Sequence, residues 1–370
     1  MERLRVMIAA GGTGGHIFPA LALGEEIRRR LPDSEIVFVG TNRGLEEKVI
    51  PANGFDLKIL AMRGFIRSFS PMDILKNIAL PFQLLFVLLK AFFMVRKFRP
   101  NLVIGCGGYV SGPIVLCGAL SGSRTLLQEQ NSRPGRTTLL LSRWVDEVHL
   151  TYDDAKRFFK KKVALTISGN PLRQALQAIP KNEAYQLFGL EKEKKTLLVV
   201  GGSLGAHSVN MALLDMADEL TQKGIQILWQ TGNPDYDMIQ SRFNNPDVKI
   251  LKFIDAMPAA YSCADLVLCR AGAMTISEIT MMGLPSVLVP YPFAADNHQE
   301  YNAMSLVNRG AAVLIRNTEL KEKLKTTLID LFDHPETLRS MAENSYKLRQ
   351  PDAAKLIIDR AIELIHERKN

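Results

Sequence analysis

Short, almost uninterrupted apolar runs recur along the chain at 6–10, 36–40, 102–105, 196–200, 225–230, 266–269 and 286–289, each followed by a loop and a helical pattern. This alternation is the feature that most narrows the fold. A strand that is apolar on both faces belongs in a sheet covered on both sides, the usual condition of a parallel sheet. The helices between such strands then serve as the crossovers of βαβ units. The sequence therefore predicts an α/β protein.

A glycine-rich turn follows the first strand of each half: Gly11-Gly12-Thr13-Gly14-Gly15, then Gly201-Gly202-Ser203-Leu204-Gly205. In a chain of 370 residues this weak internal symmetry predicts two Rossmann-like domains. The boundary is expected near Ser168-Gly169-Asn170-Pro171, giving an N-terminal domain over 1–170 and a C-terminal domain over 171–350. A helical stretch over about 351–370 is expected to pack back on the first domain.

Hydrophobic residues make up 47% of the chain and charged residues 23%, enough apolar bulk for two full cores. Lys and Arg total 46 against 38 acidic residues, and the net charge of +8 suits anionic partners or simply a mildly basic globular protein. Cys106, Cys117, Cys263 and Cys269 lack metal-site spacing and lie mostly in apolar runs, so they read as buried free thiols in a reducing compartment. The N-terminus carries no signal-peptide pattern, and a cytoplasmic location is expected.

Residues 74–98 stand apart. Lys76, Gln83, Lys90 and Lys97 fall seven apart and form one polar stripe, while Phe82, Leu84, Leu85, Phe86, Leu88, Leu89, Phe92 and Phe93 surround it. Lys76 and Lys90 interrupt the run too early for a transmembrane span. Such a helix is either buried on every side or covers the core with one face and lipid with another. Arg96, Lys97 and Arg99 follow at once and favour the second reading.

Four strand–glycine–helix junctions carry the chemistry: Gly11 to Gly15, Gly105 to Pro113, Gly201 to Gly205, and Arg270-Ala271-Gly272-Ala273-Met274-Thr275. Glycines let the backbone approach a ligand, and helix N-termini offer N–H groups and partial positive charge, so diphosphate is the natural guest. The dinucleotide fingerprint is missing, since Ile17 stands where its last glycine belongs, and the second strand ends without an acidic residue for a ribose. There is no Walker A sequence. This argues against a dehydrogenase and a P-loop ATPase.

Glu278 has two readings: the last residue of a capping box begun at Thr275, or an acceptor for two ribose hydroxyls. His16, at the end of the first glycine loop, is either a general base or a hydrogen-bonding residue for phosphate or backbone. Asp235-Tyr236-Asp237 has the form of a D-x-D metal motif but reads as a solvated turn, and no metal or other cofactor is expected.

Taken together these segments resemble the MurG family. The matching stretches are Gly11 to Ala20, Gly107-Gly108-Tyr109-Val110-Ser111-Gly112-Pro113, Glu129-Gln130-Asn131, Gly169-Asn170-Pro171-Leu172-Arg173, Gly201 to Ala206, Arg270 to Glu278 and Asp296-Asn297-His298-Gln299. They cover nearly the whole chain. The resemblance implies a GT-B fold, two Rossmann-like domains with parallel sheets facing a deep cleft, the acceptor side first and the UDP-GlcNAc side second. It implies transfer of GlcNAc from UDP-GlcNAc to the C4 hydroxyl of MurNAc in undecaprenyl-pyrophosphoryl-MurNAc-pentapeptide, lipid I to lipid II, at the cytoplasmic face of the membrane. The implied partners are those two substrates, an anionic membrane surface and other cell-wall synthesis proteins, not nucleic acid.

By the same resemblance, Thr13, Gly14 and Gly15 face the donor, Asn131 and Gln299 contact the sugar, and Arg173 and Ser203 bind the donor, with its phosphates as their targets. Ile254 holds uracil through its backbone, and Ala273, Met274, Thr275, Ile276, Ser277 and Glu278 form the donor-binding helix start, with Glu278 on the ribose. Arg133 and His298 depart from some members, and the second departure touches a sugar contact. An α-linked donor and a β-linked product require inversion, hence one displacement with a general base, His16 before Glu129, and stabilisation of departing UDP. Two other readings share the ligand: a UDP-GlcNAc 2-epimerase, which leaves the apolar 84–93 face unexplained, and a non-catalytic nucleotide-sugar binder.

Overall fold

The computed structural model describes residues 3–42, 44–61, 80–160, 163–173, 176–202 and 204–367. The chain divides into two compact units, Met1–Arg173 with Asp352–Asn370, and Gln174–Pro351.

Among the described residues, the first unit holds one seven-stranded parallel sheet: β1 (Arg5–Ala9), β2 (Glu35–Gly40), β3 (Asp56–Ile59), β4 (Leu102–Gly105), β5 (Arg124–Glu129), β6 (Glu147–Leu150) and β7 (Ala164–Ile167). Their order is β3-β2-β1-β4-β5-β6-β7, with Val6 of β1 in register with Ile36 on one side and Leu102 on the other. The second unit holds a six-stranded sheet of β8 (Lys195–Val200), β9 (Ile225–Gln230), β10 (Val248–Leu251), β11 (Leu266–Cys269), β12 (Ser286–Leu288) and β13 (Ala312–Leu314), ordered β10-β9-β8-β11-β12-β13.

Alternation along β1 feeds two cores. Val6, Ile8 and Ala10 pack with Ile17, Leu21 and Ile27 of the helix Gly14–Arg30 and with Ile357, Ile358 and Ala361 of the helix Ala353–Glu367. Met7 and Ala9 point the other way, against Val87, Ala91 and Val95 of the helix Leu80–Phe98 and Ile114 and Val115 of the helix Ser111–Leu120. In the second unit Leu197, Val199, Leu266 and Leu268 share a core with Trp229, Leu324 and Leu328.

The C-terminal helix is tied to the first sheet by polar contacts as well: Arg360 Nε meets Glu147 Oε2 at 2.7 Å, and Arg124 Nε donates to the Leu364 carbonyl at 2.7 Å. Glu147 is 2% exposed, and a buried carboxylate of this kind needs its cation.

In both sheets the strand order reverses once, between β1 and β4 in the first and between β8 and β11 in the second. Ligands of open α/β sheets bind beyond the carboxyl ends of the strands at such switch points. The four glycine loops picked out in the sequence are the segments that follow these four strands.

The helix Leu80–Phe98 has one core face and one bare face. Val87, Ala91 and Val95 are at most 2% exposed, whereas Leu85, Phe86, Leu89 and Phe93 are 50–68% exposed. Residues 74–79 and the side chain of Phe82 lie outside the described residues. No helix among the described residues is long and apolar enough to cross a membrane. All four cysteines are buried and free, and burial pushes their thiols up.

Candidate functional site

At the first switch point the helix Gly14–Arg30 starts at once, with Thr13 as its extended N-cap and Gly14 and Gly15 as its first residues. Thr13 makes no side-chain capping bond. Pro19 therefore stands in the second turn of this helix, where a missing N–H costs a helical bond. The loop is braced by Glu46, wholly buried, whose Oε1 accepts from the Gly12 and Thr41 amides and the Thr41 hydroxyl. This is the acidic group after β2, and it serves the protein backbone.

The β1 and β4 loops meet backbone to backbone. Gly108 has φ +79°, and a β-carbon there would stand 2.3 Å from the Gly11 carbonyl oxygen. Gly107, at φ +99°, lies under the His16 ring, since a β-carbon there would be 2.5 Å from Nδ1. His16 Nδ1 faces Gln130 Oε1 at 3.1 Å.

Glu129, the other candidate base, ends β5 and is 3% exposed. Its Oε1 accepts from the Asn131 backbone N–H at 3.0 Å and the Asn131 side-chain amide at 3.2 Å, and its Oε2 accepts from the Gly135 N–H at 3.0 Å. Both oxygens thus hold the 129–135 turn together. Arg173 also belongs to this unit, where its guanidinium meets Glu25 at 2.8 Å and Asn53 Oδ1 at 2.9 Å.

At the second switch point Ser203 lies outside the described residues. The helix after β11 runs Ala273–Met282 with Gly272 as N-cap and no side-chain capping bond. The capping-box reading of Thr275 and Glu278 is thereby corrected: Thr275 is already the third helical residue, and Glu278 lies a turn beyond the box. The Glu278 carboxylate instead accepts from the Tyr261 hydroxyl at 2.8 Å. Burial raises Glu278 to about 6, against the opposing pull of that hydrogen bond. Tyr261 is 1% exposed, and burial, with the Glu278 charge, holds its phenol well above its ordinary value.

Ala273 and Ile276 are buried, Met274, Thr275 and Ser277 half-buried, and Ser277 Oγ donates to the Ala273 carbonyl at 2.9 Å. Ile254 is buried and its N–H donates to Gln230 Oε1 at 2.9 Å. Gln299, in the first turn of the helix His298–Val307, accepts from the Tyr291 N–H at 2.9 Å through Oε1, and His298 Nδ1 lies 2.8 Å from the Ala295 carbonyl.

Arg270 directly follows β11, and its guanidinium is turned onto the protein. Its Nη1 donates to the Val289 and Pro290 carbonyls and Asn317 Oδ1, and its Nη2 to Ser208 Oγ, all neutral acceptors. Burial lowers its pKa, so a cation is held at this switch point at an electrostatic cost that an anionic guest would offset. Asp235, in the helix Asn233–Gln240, corrects the solvated-turn reading. It is 8% exposed and accepts from His207 Nδ1 at 2.8 Å and Asn210 Nδ2 at 2.7 Å, while Asp237 is the exposed member of the motif.

Each unit matches one half of a known family. Residues 6–150 match the Glycosyltransferase family 28 N-terminal domain and residues 196–357 the Glycosyltransferase family 28 C-terminal domain. The UDP-N-acetylglucosamine--N-acetylmuramyl-(pentapeptide) pyrophosphoryl-undecaprenol N-acetylglucosamine transferase of Chlorobium limicola is 40% identical over 363 residues, 98% of this chain and 99% of the relative. The crystal structure of Acinetobacter baumannii MurG superposes with a TM-score of 0.80 at 28% identity, covering 98% of this chain and 99% of that one. A putative UDP-N-acetylglucosamine 2-epimerase from Listeria monocytogenes reaches a TM-score of 0.71 at 16% identity over 100% of this chain and 98% of that one, a likeness of fold alone. With both halves matched in order and near-complete coverage of its relatives, the chain belongs to glycosyltransferase family 28, in the MurG family.

Proposed function

We propose that the chain transfers GlcNAc from UDP-GlcNAc to the C4 hydroxyl of MurNAc in undecaprenyl-pyrophosphoryl-MurNAc-pentapeptide, with inversion at the anomeric carbon. The observation that carries this reading is the full-length kinship with a transferase of that name, 40% identical over 98% of the chain. The chemistry of the two switch points agrees with it.

On the donor side, Glu278 accepts from the ribose hydroxyls, the Ile254 main chain meets the uracil, and Gln299 and Asn131 contact the sugar. The Ile254 N–H is already given to Gln230, so the base would meet this residue through its carbonyl. The amides of the Gly201–Gly205 loop, with Ser203, and the start of the Ala273–Met282 helix, residues Ala273 to Ser277, stabilise the departing UDP. Arg173 reaches the diphosphate only by exchanging its carboxylate partner Glu25.

On the acceptor side, Thr13, Gly14 and Gly15 line the donor-facing loop and His16 takes the proton from the C4 hydroxyl. Glu129 is the weaker candidate because both its oxygens are engaged in its own turn. The bare face of Leu85, Phe86, Leu89 and Phe93, followed by Arg96, Lys97 and Arg99, lies on an anionic membrane surface, where the polyprenyl acceptor resides. An epimerase has no use for that face. Transfer of labelled GlcNAc to a lipid I analogue tests the reading.

A further inference from the structure

Behind His16 runs a chain of buried amides. Asn170, Gln128 and Gln130 are 1–2% exposed. Gln128 Nε2 donates to Asn170 Oδ1 at 3.4 Å. Gln130 Nε2 donates to the Cys106 carbonyl at 2.7 Å, to the Gln128 carbonyl at 3.2 Å and to the Gln128 side-chain oxygen.

A backbone carbonyl can only accept. The NH₂ of Gln130 must therefore face Cys106 and Gln128, and Oε1 must face away from them. Oε1 lies 3.1 Å from His16 Nδ1. An amide oxygen also only accepts, so Nδ1 is the protonated nitrogen of the neutral ring and Nε2 its acceptor. Gly107 leaves the room the ring needs, because a β-carbon there would collide with it.

The geometry points to Gln130 as a positioning residue that holds His16 in the Nδ1–H tautomer, which makes Nε2 the nitrogen that takes the acceptor's proton. The inference rests on the reading of His16 as the base. An amide does this without charge, so it orients the ring without raising its affinity for protons as a carboxylate would. As Nε2 accepts the hydroxyl proton, the Nδ1–H···Oε1 bond remains and the imidazolium is stabilised in place.

The test combines ring-nitrogen NMR with kinetics on the full chain. In the unaltered protein His16 should show the Nδ1–H tautomer; a predominant Nε2–H signal overturns the proposal without any variant. Gln130→Met should shift the ring toward Nε2–H and lower kcat by roughly 10–100-fold with little change in the KM for UDP-GlcNAc. Gln130→Glu keeps the shape and adds charge, and should move the acid limb of the kcat–pH profile upward by about one unit or more. An unchanged tautomer in Gln130→Met, or an unmoved profile in a folded Gln130→Glu, would also overturn it. Near-normal turnover in His16→Ala would defeat the base reading instead, and the tautomer comparison would still decide what Gln130 does.

Discussion

Tyr261 gives its hydroxyl hydrogen to Glu278 at 2.8 Å, joining the helix Met257–Cys263 to the helix Ala273–Met282 on either side of β11. The carboxylate thereby keeps a fixed direction in a site whose burial favours its neutral form. That conflict makes donor binding sensitive to pH.

With Glu278 raised to about 6 in the unliganded protein, the ionised form, which accepts most strongly from both ribose hydroxyls, is lost as pH falls through that value. The affinity for UDP-GlcNAc, whose own phosphates do not titrate in this range, should be flat above pH 7 and fall as pH drops through 6, about tenfold weaker at pH 5 than at pH 7. Titration calorimetry across this range checks it. Glu278→Gln should bind UDP-GlcNAc at least about tenfold more weakly and lose the pH dependence. A pH-independent affinity in the unaltered protein would remove Glu278 from the ribose.

Tyr261→Phe keeps the ring and removes the hydroxyl. The one bond that lowers the Glu278 pKa is lost, so the midpoint of UDP-GlcNAc binding should move to higher pH while the fold persists. Repeating the same titration on this variant reads the shift directly; an unmoved midpoint would mean the hydroxyl has no hold on the carboxylate.

The bare helix face makes a separate prediction. Serine at Leu85, Phe86, Leu89 and Phe93 should abolish binding to anionic vesicles and leave thermal stability and UDP affinity unchanged, whereas Val95→Ser, on the buried face, should lower the melting temperature. Binding by the unaltered protein should weaken with salt. Unfolding of the four-serine variant would show that this face is covered by the protein itself.

Much of this architecture was legible as pattern. The recurrent apolar runs named central strands such as β1, β4, β8 and β11, because these are covered on both faces and carry almost no polar residue. The edge strands β3, β7, β10 and β13 escaped the same criterion. They are three or four residues long, and three of them include Lys or Thr. β6 escaped for another reason: Glu147 and His149 look like surface residues until Arg360, more than two hundred positions away, is brought beside them. The glycine loops were visible because diphosphate chemistry needs the same residues that tight switch-point turns need. Tyr261, Gln130 and Glu46 were not, since each acts through a partner outside its own segment, and a capping box is spelled identically whether or not the helix begins at its first residue.

His149 supplies a stability test. It is wholly buried with neither ring nitrogen hydrogen-bonded, and burial, aided by Arg360 and opposed by Glu147, holds its pKa down to about 4. The unfolded chain therefore binds the extra proton first, and this group's contribution to stability is intact above about 6.5 and lost as pH falls toward 4. His149→Leu should flatten the loss of stability over that interval relative to the unaltered protein, measured by urea unfolding at a series of pH values. Parallel curves for the two proteins would show that the ring does not titrate there.

The central claim is that this chain makes a sugar–sugar bond using His16 as base. The direct measurement is transfer of labelled GlcNAc from UDP-GlcNAc to a lipid I analogue by the unaltered protein and by His16→Ala. The account predicts a β1→4-linked product, released UDP, and a turnover roughly 10²–10⁴-fold lower in the variant at unchanged UDP-GlcNAc affinity. No transfer to the analogue, with inversion at C2 of the donor sugar in its absence, would contradict it.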